Sequence, residues 1–332
     1  MPVNPRLSIA VPTYNRAETL DLFLKTYVPM VREHDVAIYI SNNNSIDNTI
    51  FIVDKWKKEY EYIYCTTIDE TVVFDVNVAN ALKLSKAEYT WMVGDTYEIP
   101  KKSLEQVLRI LPEGDERFDF IVTNLVGRTK DIDEKVYTDK NAALADLGWT
   151  IGCIASTIFH KNVIEVGEFT KYVGTEFSHV GVVFEYIKDR DFKMLWAPDV
   201  TVVTLKTPNI KVDFGPIFFS IIFEMWPSFI DRLPDGYDAS SKAIALKALP
   251  QKSNFLGWRY FLSLRSQGVL NAETYALHKD ALHELLSDFM KVYLFVLTIT
   301  PRPVCRVAHD LVVWTRRKNY QIRKALVKDL VR

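Results

Sequence analysis

The sequence is poor in cysteine and has little net charge. Its three cysteines, Cys65, Cys153 and Cys305, lie far apart without a CxxC spacing, so neither a disulfide framework nor a cysteine-based zinc cluster is expected. A reducing cytosol is therefore the expected compartment. The formal net charge of −1 argues against a globally basic nucleic-acid binder, and we expect no nucleic-acid partner.

Long apolar runs are also missing. The first apolar run, residues 7–11, is short and stops at Pro12, so no signal peptide is expected. Two longer apolar stretches, 217–230 and 289–300, are interrupted by charged residues and a proline, and neither predicts a membrane span. We therefore expect a cytoplasmic protein.

The composition is otherwise that of a soluble globular protein with room for a large core. The 332 residues are 48% hydrophobic and 25% charged, and a chain of this length forms one large domain or two. Aromatic residues are abundant, with 7 Trp, 16 Tyr and 19 Phe. Such enrichment suits a sugar-binding surface and an ordinary core equally.

Strands alternate with helices in the first 210 residues. Apolar and β-branched runs predict strands at 7–11, 36–40, 62–66, 89–93, 118–125 and 150–159, and helical spacing predicts helices at 18–31, 50–60, 74–85 and 102–111. This alternation predicts a mostly parallel sheet with helices on both faces. From about residue 214 helices follow one another, including a long one at 272–298. We therefore expect an α/β domain over 1–210 and an α-helical region over 211–332.

Polar turns follow three strands of the predicted sheet. They are Pro12-Thr13-Tyr14-Asn15-Arg16, the stretch 41–49 containing Asn42-Asn43-Asn44, and Gly94-Asp95. In open α/β sheets, ligands bind at the carboxyl ends of the strands, so we expect these turns to form one site. The alternative is that Thr13 or Asn15 only caps a helix and that Asp95 is a solvated loop acid.

The order and spacing of these turns resemble family 2 glycosyltransferases of the GT-A fold, of the bacterial surface-polysaccharide type. The resemblance covers residues 7–205 and implies a Rossmann-like catalytic domain over 1–210. It also implies that the first two turns hold a nucleotide diphosphate sugar and that the third carries a metal-binding Asp. The nucleotide-sugar-binding residues so assigned are Pro12, Thr13, Tyr14, Asn15, Arg16, Asn42, Asn43, Asn77, Gly94 and Asp95. For Asn77, a solvated helix face is the alternative.

The second turn departs from the family pattern, which usually has at least one Asp where this chain has three Asn. An amide both donates and accepts hydrogen bonds, so we expect this turn still to recognise a nucleobase, with a different preferred base. Asp47 resembles the acid that ends the family motif. It either caps the following helix or contacts the ligand.

The third turn departs further, because the family commonly has two or three consecutive acids there. In this chain Thr96 and Tyr97 follow Asp95, and Glu98 is the candidate second carboxylate. Mg²⁺ is commonly held by one or two carboxylates together with substrate phosphates. We therefore expect Mg²⁺ or Mn²⁺ on Asp95 and Glu98, with metal-independent transfer or lost activity as the alternatives.

Residues 172–179 fall where the family places its catalytic base. An inverting transferase needs a base for the acceptor hydroxyl, and Glu176 and His179 are the catalytic candidates. His179 has a structural role as its alternative. Trp149 is the acceptor-binding candidate because a tryptophan stacks on a sugar ring, although a buried tryptophan is an equal alternative.

The end of the chain is basic, with nine Lys or Arg residues against two Asp from Pro301 onward. Aromatic residues adjoin this charge, a combination typical of helices on an anionic membrane surface. A helical bundle or homo-oligomer with solvated charges is the alternative. The function expected overall is sugar transfer, with inversion, to a glycan or lipid-linked glycan at the inner face of the cell membrane. An inactive GT-A-like sugar-nucleotide-binding or scaffold protein is the competing hypothesis.

Overall fold

The structure is a computed structural model, and it describes residues 3–112, 116–206, 217–252 and 256–330. The chain divides into two compact units. Unit 1 comprises Met1–Val212 and Glu224–Leu249, and unit 2 comprises Asp213–Phe223 and Pro250–Arg332. Within the described ranges, every helix is too short or too polar to cross a membrane.

Nine strands and fourteen α-helices lie in the described ranges. The strands are β1 (Leu7–Thr13), β2 (Ala37–Asn42), β3 (Ile63–Thr67), β4 (Tyr89–Met92), β5 (Tyr97–Glu98), β6 (Phe120–Leu125), β7 (Lys135–Tyr137), β8 (Thr157–His160) and β9 (Met194–Thr204). The helices are α1 (Ala17–Arg32), α2 (Thr49–Glu59), α3 (Phe74–Leu84), α4 (Lys101–Ile110), α5 (Lys140–Ile151), α6 (Lys161–Val166), α7 (Ser178–Ile187), α8 (Phe218–Ser220), α9 (Trp226–Asp231), α10 (Ala239–Lys252), α11 (Trp258–Gln267), α12 (Ala272–Leu285), α13 (Asp288–Ile299) and α14 (Arg302–Leu330). A π-helical turn, Ile221–Met225, joins α8 to α9.

The strands of unit 1 form one sheet in the order β3-β2-β1-β4-β8-β6-β9-β5, with β7 paired to β9. β3, β2, β1 and β4 pair in parallel, and β8 then enters antiparallel between β4 and β6. The expected fold class, an α/β sheet followed by a helical region, is confirmed.

Burial explains why these segments become central strands. Every residue of β1 and β2 is buried, as expected of parallel strands covered on both faces. The helix α1 turns Leu20, Leu24 and Tyr27 inward at helical spacing. Burying a side chain of this size stabilises the fold by about 2 kcal/mol, so these residues of α1 contribute to the stability of the core.

Two predicted elements are wrong. The predicted strand 150–159 begins as helix, because Asp139 accepts a hydrogen bond from the Ala142 amide and starts α5, which runs to Ile151. The Ser156 hydroxyl then bonds the Thr150 carbonyl, and β8 starts only after this turn. The predicted helix 272–298 is two helices, because the backbone at Leu286 and Ser287 is extended between α12 and α13.

Candidate functional site

A cavity of about 400 Å³ opens at the carboxyl ends of β1, β2 and β4. These strands are parallel neighbours, so the turns that follow them meet at one edge of the sheet. We call this the strand-end cavity; it is lined by Pro12, Thr13, Tyr14, Arg16, Asn43, Val72, Phe74, Asn77, Gly94, Asp95, Thr96 and Ile154. Eight of the ten residues predicted to bind the nucleotide sugar line it, while Asn15 and Asn42 are not among its lining residues.

The turn after β1 is held in shape by the turn after β2. Asn15 has a left-handed backbone, with φ of 51°; its amide donates to Ser45 Oγ at 2.8 Å, and its side-chain oxygen accepts from the Ile46 amide at 2.9 Å. Asp47 accepts from the Ala17 amide at 2.8 Å and from the Thr49 amide and hydroxyl. Asn15 and Asp47 therefore have structural hydrogen bonds, and Tyr14, which is 45% exposed, is left facing the cavity.

The asparagines after β2 have different surroundings. Asn42 is fully buried, and its amide donates to Thr67 Oγ1 at 3.1 Å. Asn43 lines the cavity and pairs in both directions with the backbone of Val72. Its Nδ2 donates to the Val72 carbonyl at 2.8 Å, and its Oδ1 accepts from the Val72 amide at 2.9 Å. The third, Asn44, takes a left-handed conformation with φ of 52°.

Asn77 links α3 to the two strand-end turns. Its Oδ1 accepts from Ser41 Oγ at 2.7 Å, and its Nδ2 donates to the carbonyls of Ser41 and Thr13. Asn77 is buried rather than on a solvated helix face. It therefore fixes α3 against β1 and β2.

Asp95 lies on the floor of the cavity and is only 2% exposed. Its Oδ1 accepts from Arg16 Nη1 at 2.9 Å, and its Oδ2 accepts from Thr13 Oγ1 at 3.2 Å. Burial raises the pKa of Asp95 above its ordinary value, while the charge and hydrogen bonds of Arg16 and Thr13 act in the opposite direction. The cavity thus presents one carboxylate together with one guanidinium.

Glu98 is not brought to the cavity with Asp95. It lies in β5, paired with Val203 of β9, and is absent from the cavity lining. Among the described residues, no cluster of three or more His, Cys, Asp or Glu side chains has the arrangement of a metal site. Asp95 still fits as the one protein carboxylate of a Mg²⁺ or Mn²⁺ ion whose other ligands are diphosphate oxygens and water.

The catalytic candidates lie in and just after the loop 174–178, whose last residue, Ser178, is the first of α7. Glu176 is half-buried with φ of 64°, and burial and the charge of Asp75 both raise its pKa. His179 is buried, and that burial lowers its pKa to about 4. Trp149 is also fully buried, within α5, with the guanidinium of Arg128 5.3 Å from its ring. None of the three, Glu176, His179 and Trp149, lines the strand-end cavity.

Sequence reasoning missed the role of Asp75 in this region. Asp75 is buried in the first turn of α3, and its carboxylate accepts three backbone hydrogen bonds from the loop 174–178. Contacts between residues about a hundred positions apart have no local sequence signal. An acidic residue in the first turn of a helix is common, so Asp75 does not stand out in the sequence.

The architecture is that of GT-A glycosyltransferases. A mannosyltransferase, PcManGT, from Pyrobaculum calidifontis, solved with GDP-Man and Mn²⁺, superposes with a TM-score of 0.52 at 17% identity, over 89% of this chain and 86% of that one. TarS 1–349 from S. aureus, solved with UDP-GlcNAc, gives a TM-score of 0.50 at 13% identity, over 92% of each chain. At these identities the likeness establishes the fold.

Sequence comparison finds similarity to one family over the first half of the chain. Residues 8–166 match the model described as Glycosyl transferase family 2. The abequosyltransferase RfbV of Salmonella typhimurium is 23% identical over 201 residues, which are 53% of this chain and 60% of that relative. The match thus spans less than two thirds of the relative's length. Just under half of the chain, residues 8–166, is thus similar to glycosyl transferase family 2.

Proposed function

We propose that this protein transfers a sugar from a nucleotide diphosphate sugar to a hydroxyl group of a glycan. The observation that carries the proposal is the strand-end cavity, whose lining includes the Arg16–Asp95 ion pair and the ring of Tyr14. A guanidinium binds phosphate oxygens with paired hydrogen bonds. The aromatic ring of Tyr14 offers a stacking surface for a base or a ribose.

Arg16 is the donor-binding residue with the clearest charge role in this proposal. Its side chain is 49% exposed although it is paired with the buried Asp95. It can therefore bind a diphosphate without leaving the cavity. As the sugar departs, negative charge grows on the diphosphate, and a fixed cation there stabilises the transition state.

We propose Asp95 as the residue that holds Mg²⁺ or Mn²⁺ against the diphosphate. A bound divalent ion would offset charge on the leaving group. The solved mannosyltransferase complex contains Mn²⁺, which supports divalent metal use in this fold. The earlier assignment of Glu98 as a second ligand has no support from the cavity lining.

We propose that Glu176 is the general base of an inverting reaction. The acceptor hydroxyl oxygen would bond to the anomeric carbon while Glu176 takes the hydroxyl proton. The bond from that carbon to the diphosphate oxygen would break on the opposite side, and its electron pair would leave with the diphosphate. A general base works best when its pKa lies near the pH of the reaction, and a pKa raised above the ordinary glutamate value is closer to neutral pH.

The substrate class is proposed from the relatives. The similar proteins include an abequosyltransferase and glycosyltransferases solved with GDP-Man and UDP-GlcNAc. We therefore propose a hexose or deoxyhexose donor and a glycan acceptor, lipid-linked, in surface-polysaccharide, O-antigen or capsule synthesis. Trp149 remains the acceptor-binding proposal, with the condition that its ring becomes accessible when acceptor binds.

The test is nucleotide release from a panel of sugar nucleotides with Mn²⁺ and a glycan acceptor, using the full chain. We expect turnover with one donor, loss of turnover in Asp95→Ala, and wild-type turnover in Asp54→Ala, which removes an exposed carboxylate of α2. If no donor binds or turns over, the enzyme proposal fails and the binding or scaffold alternative gains. Equal activity of the two variants would remove Asp95 from the mechanism.

We further propose that residues 1–210 carry the transfer chemistry and that the helical region 211–332 binds an anionic membrane on its cytoplasmic side. Exposed apolar residues of α14 follow a spacing of three and four that puts them on one helix face: Val304, Val307, Leu311 and Trp314. The exposed side chain of Lys318, four residues after Trp314, adds positive charge at the end of that face. Together these features support an interfacial helix.

Co-sedimentation with vesicles of phosphatidylcholine and phosphatidylglycerol tests the membrane proposal. Binding should be salt-sensitive and weaker in Leu311→Glu, while Leu277→Glu, at an exposed leucine of α12, should bind like the wild type. No binding at low salt would remove the proposal. If the wild type instead self-associates and Leu311→Glu abolishes that association, the homo-oligomer alternative is favoured.

A further inference from the structure

The buried carboxylate of Asp75 holds the loop 174–178 from across unit 1. Its Oδ2 accepts from the Gly174 amide at 2.8 Å and from the Glu176 amide at 3.1 Å, and its Oδ1 accepts from the Ser178 amide at 2.9 Å. The Ser178 hydroxyl also donates to the Asp75 carbonyl at 3.2 Å. Charge-assisted bonds to backbone amides are among the stronger hydrogen bonds in proteins, so this is a specific attachment.

The loop adopts a backbone conformation that needs such support. Gly174 has φ of 88° and Glu176 has φ of 64°, both in the left-handed region. For a residue with a side chain, such as Glu176, this conformation persists only where the surroundings impose it. Alternating backbone conformations of this kind turn several amides towards one point and form an anion-binding concavity. The Asp75 carboxylate occupies that point.

Asp75 also lies at the start of two helices. It belongs to the first turn of α3, and the amide it reaches at Ser178 is the first of α7. Amides in a first helical turn have no partner within the helix and carry partial positive charge. One buried carboxylate therefore satisfies an end of α7 while it fixes the loop before it.

The same turn of α3 forms part of the strand-end cavity. Phe74 and Asn77, on either side of Asp75 in sequence, both line the cavity, and Asn77 bonds the ends of β1 and β2. A single helical turn thus joins the donor side of the site to the backbone of Glu176.

We propose that Asp75 is a positioning residue for the transfer reaction, which sets the place of Glu176 relative to the strand-end cavity. The inference rests on the proposed function, in which Glu176 is the base. The Asp75 charge also acts on Glu176, since burial first and this charge second raise the pKa of Glu176. His179 of α7 also senses the Asp75 charge, and burial keeps it neutral near pH 7.

The variant Asp75→Asn tests the proposal. Both carboxylate oxygens accept amide hydrogens, so the NH₂ group of asparagine must face at least one donor. We expect kcat to fall about 100-fold through misplacement of the base, with KM for the nucleotide sugar nearly unchanged. We also expect the acid limb of the pH–rate profile to move to lower pH, because one source of the raised pKa of Glu176 is removed.

Asp119→Asn is the matched control. Asp119 is buried in unit 1 like Asp75, accepting from the Lys193 amide at 3.0 Å and from the Tyr186 hydroxyl at 3.2 Å. It should lower stability without moving the pH limb. If both variants shift the pH profile equally, or if Asp75→Asn leaves kcat and the profile unchanged, the proposal is wrong.

Gly174→Ala provides a second variant that leaves the carboxylate in place. An added Cβ meets nothing within 4 Å, so the strain at φ of 88° is its only cost. Kcat should fall, whereas Gly236→Ala, at φ of 93°, should retain wild-type kcat. Equal kcat in the two alanine variants would contradict the proposal.

Hydrogen exchange gives a readout that does not require turnover. The amides of Gly174, Glu176 and Ser178 should exchange faster in Asp75→Asn and remain protected in Asp119→Asn. Unchanged exchange in Asp75→Asn would show that the Asp75 carboxylate does not hold the loop 174–178. A wild type that shows this protection but transfers no sugar would instead contradict the proposed function.

Discussion

Arg16 Nη1 lies 2.9 Å from Oδ1 of Asp95, and the two side chains differ sharply in exposure, 49% against 3%. The carboxylate is thus buried while its cation reaches the opening of the cavity. A buried ion loses much of its hydration, so Asp95 depends on Arg16 and Thr13 for its remaining polar contacts. This arrangement orients the guanidinium, and donor binding should be sensitive to it.

Arg16→Ala should weaken binding of a nucleoside diphosphate about 10- to 100-fold, because a charge-assisted contact to phosphate is lost. Isothermal titration calorimetry with UDP and GDP measures the effect. Arg109→Ala removes an exposed arginine of α4 and should bind as the wild type does. Unchanged affinity in Arg16→Ala would exclude Arg16 from the diphosphate site.

Glu176→Gln should reduce kcat about 100- to 1,000-fold, as expected when a general base is lost. Activity of the wild type should rise with pH through a pKa above the ordinary glutamate value of 4.5, because burial and the Asp75 charge raise the pKa of Glu176. That acid limb should be missing in Glu176→Gln. Glu165→Gln, an exposed acid of α6, serves as the control and should retain the limb.

His179 should make the stability of the fold depend on pH. Its pKa is lowered by burial from 6.5 to about 4, so the unfolded chain binds a proton that the folded chain does not. Stability is therefore full above pH 6.5 and decreases as the pH falls towards 4. Urea unfolding should show a loss of about 2 kcal/mol between pH 7 and pH 5 from this group.

The matching variant is His179→Gln. Its free energy of unfolding should differ between pH 7 and pH 5 by about 2 kcal/mol less than that of the wild type. His309→Gln, in which a partly solvated histidine of unit 2 is changed, should keep the wild-type dependence. An unaltered pH dependence in His179→Gln would show that His179 is not the buried neutral group.

Asn43→Asp should destabilise unit 1 by about 1–2 kcal/mol, the cost of an unmet buried hydrogen bond. A carboxylate cannot donate to the Val72 carbonyl, which lies 2.8 Å from Asn43 Nδ2. Thermal unfolding followed by circular dichroism measures the change. Asn48→Asp is the control, because Asn48 is exposed and its side chain makes no capping hydrogen bond. Equal melting temperatures of the Asn43→Asp and Asn48→Asp variants would contradict the importance of the Asn43 pairing.

Local patterns predicted the fold well where burial alone decides structure. Continuous apolar runs such as 7–11 and 36–40 become β1 and β2, since both faces of these strands are covered. The stretch 150–159 was predicted wrongly because short apolar runs do not distinguish strand from helix. There the cap at Asp139 decides the outcome from eleven residues upstream of Thr150.

The candidate site shows the same contrast between features that local sequence predicts and features that depend on tertiary contacts. Residues on strand ends, such as Thr13 and Asp95, were found from sequence because parallel topology brings strand ends together. The separation of Glu98 from Asp95 was not predicted, because pairing of β5 with β9 is a tertiary feature. Nor could sequence indicate that Asn43 uses both ends of its amide on Val72.

The single helical turn that carries Asp75 and Asn77 has a consequence for insertions and deletions. Each residue of an α-helix rotates the chain by about 100° and advances it about 1.5 Å. Adding or removing one residue between positions 75 and 77 would turn one of the two side chains away from its partners. We therefore expect length variation among homologues to be absent between 75 and 77, so that these two positions keep a fixed separation in an alignment.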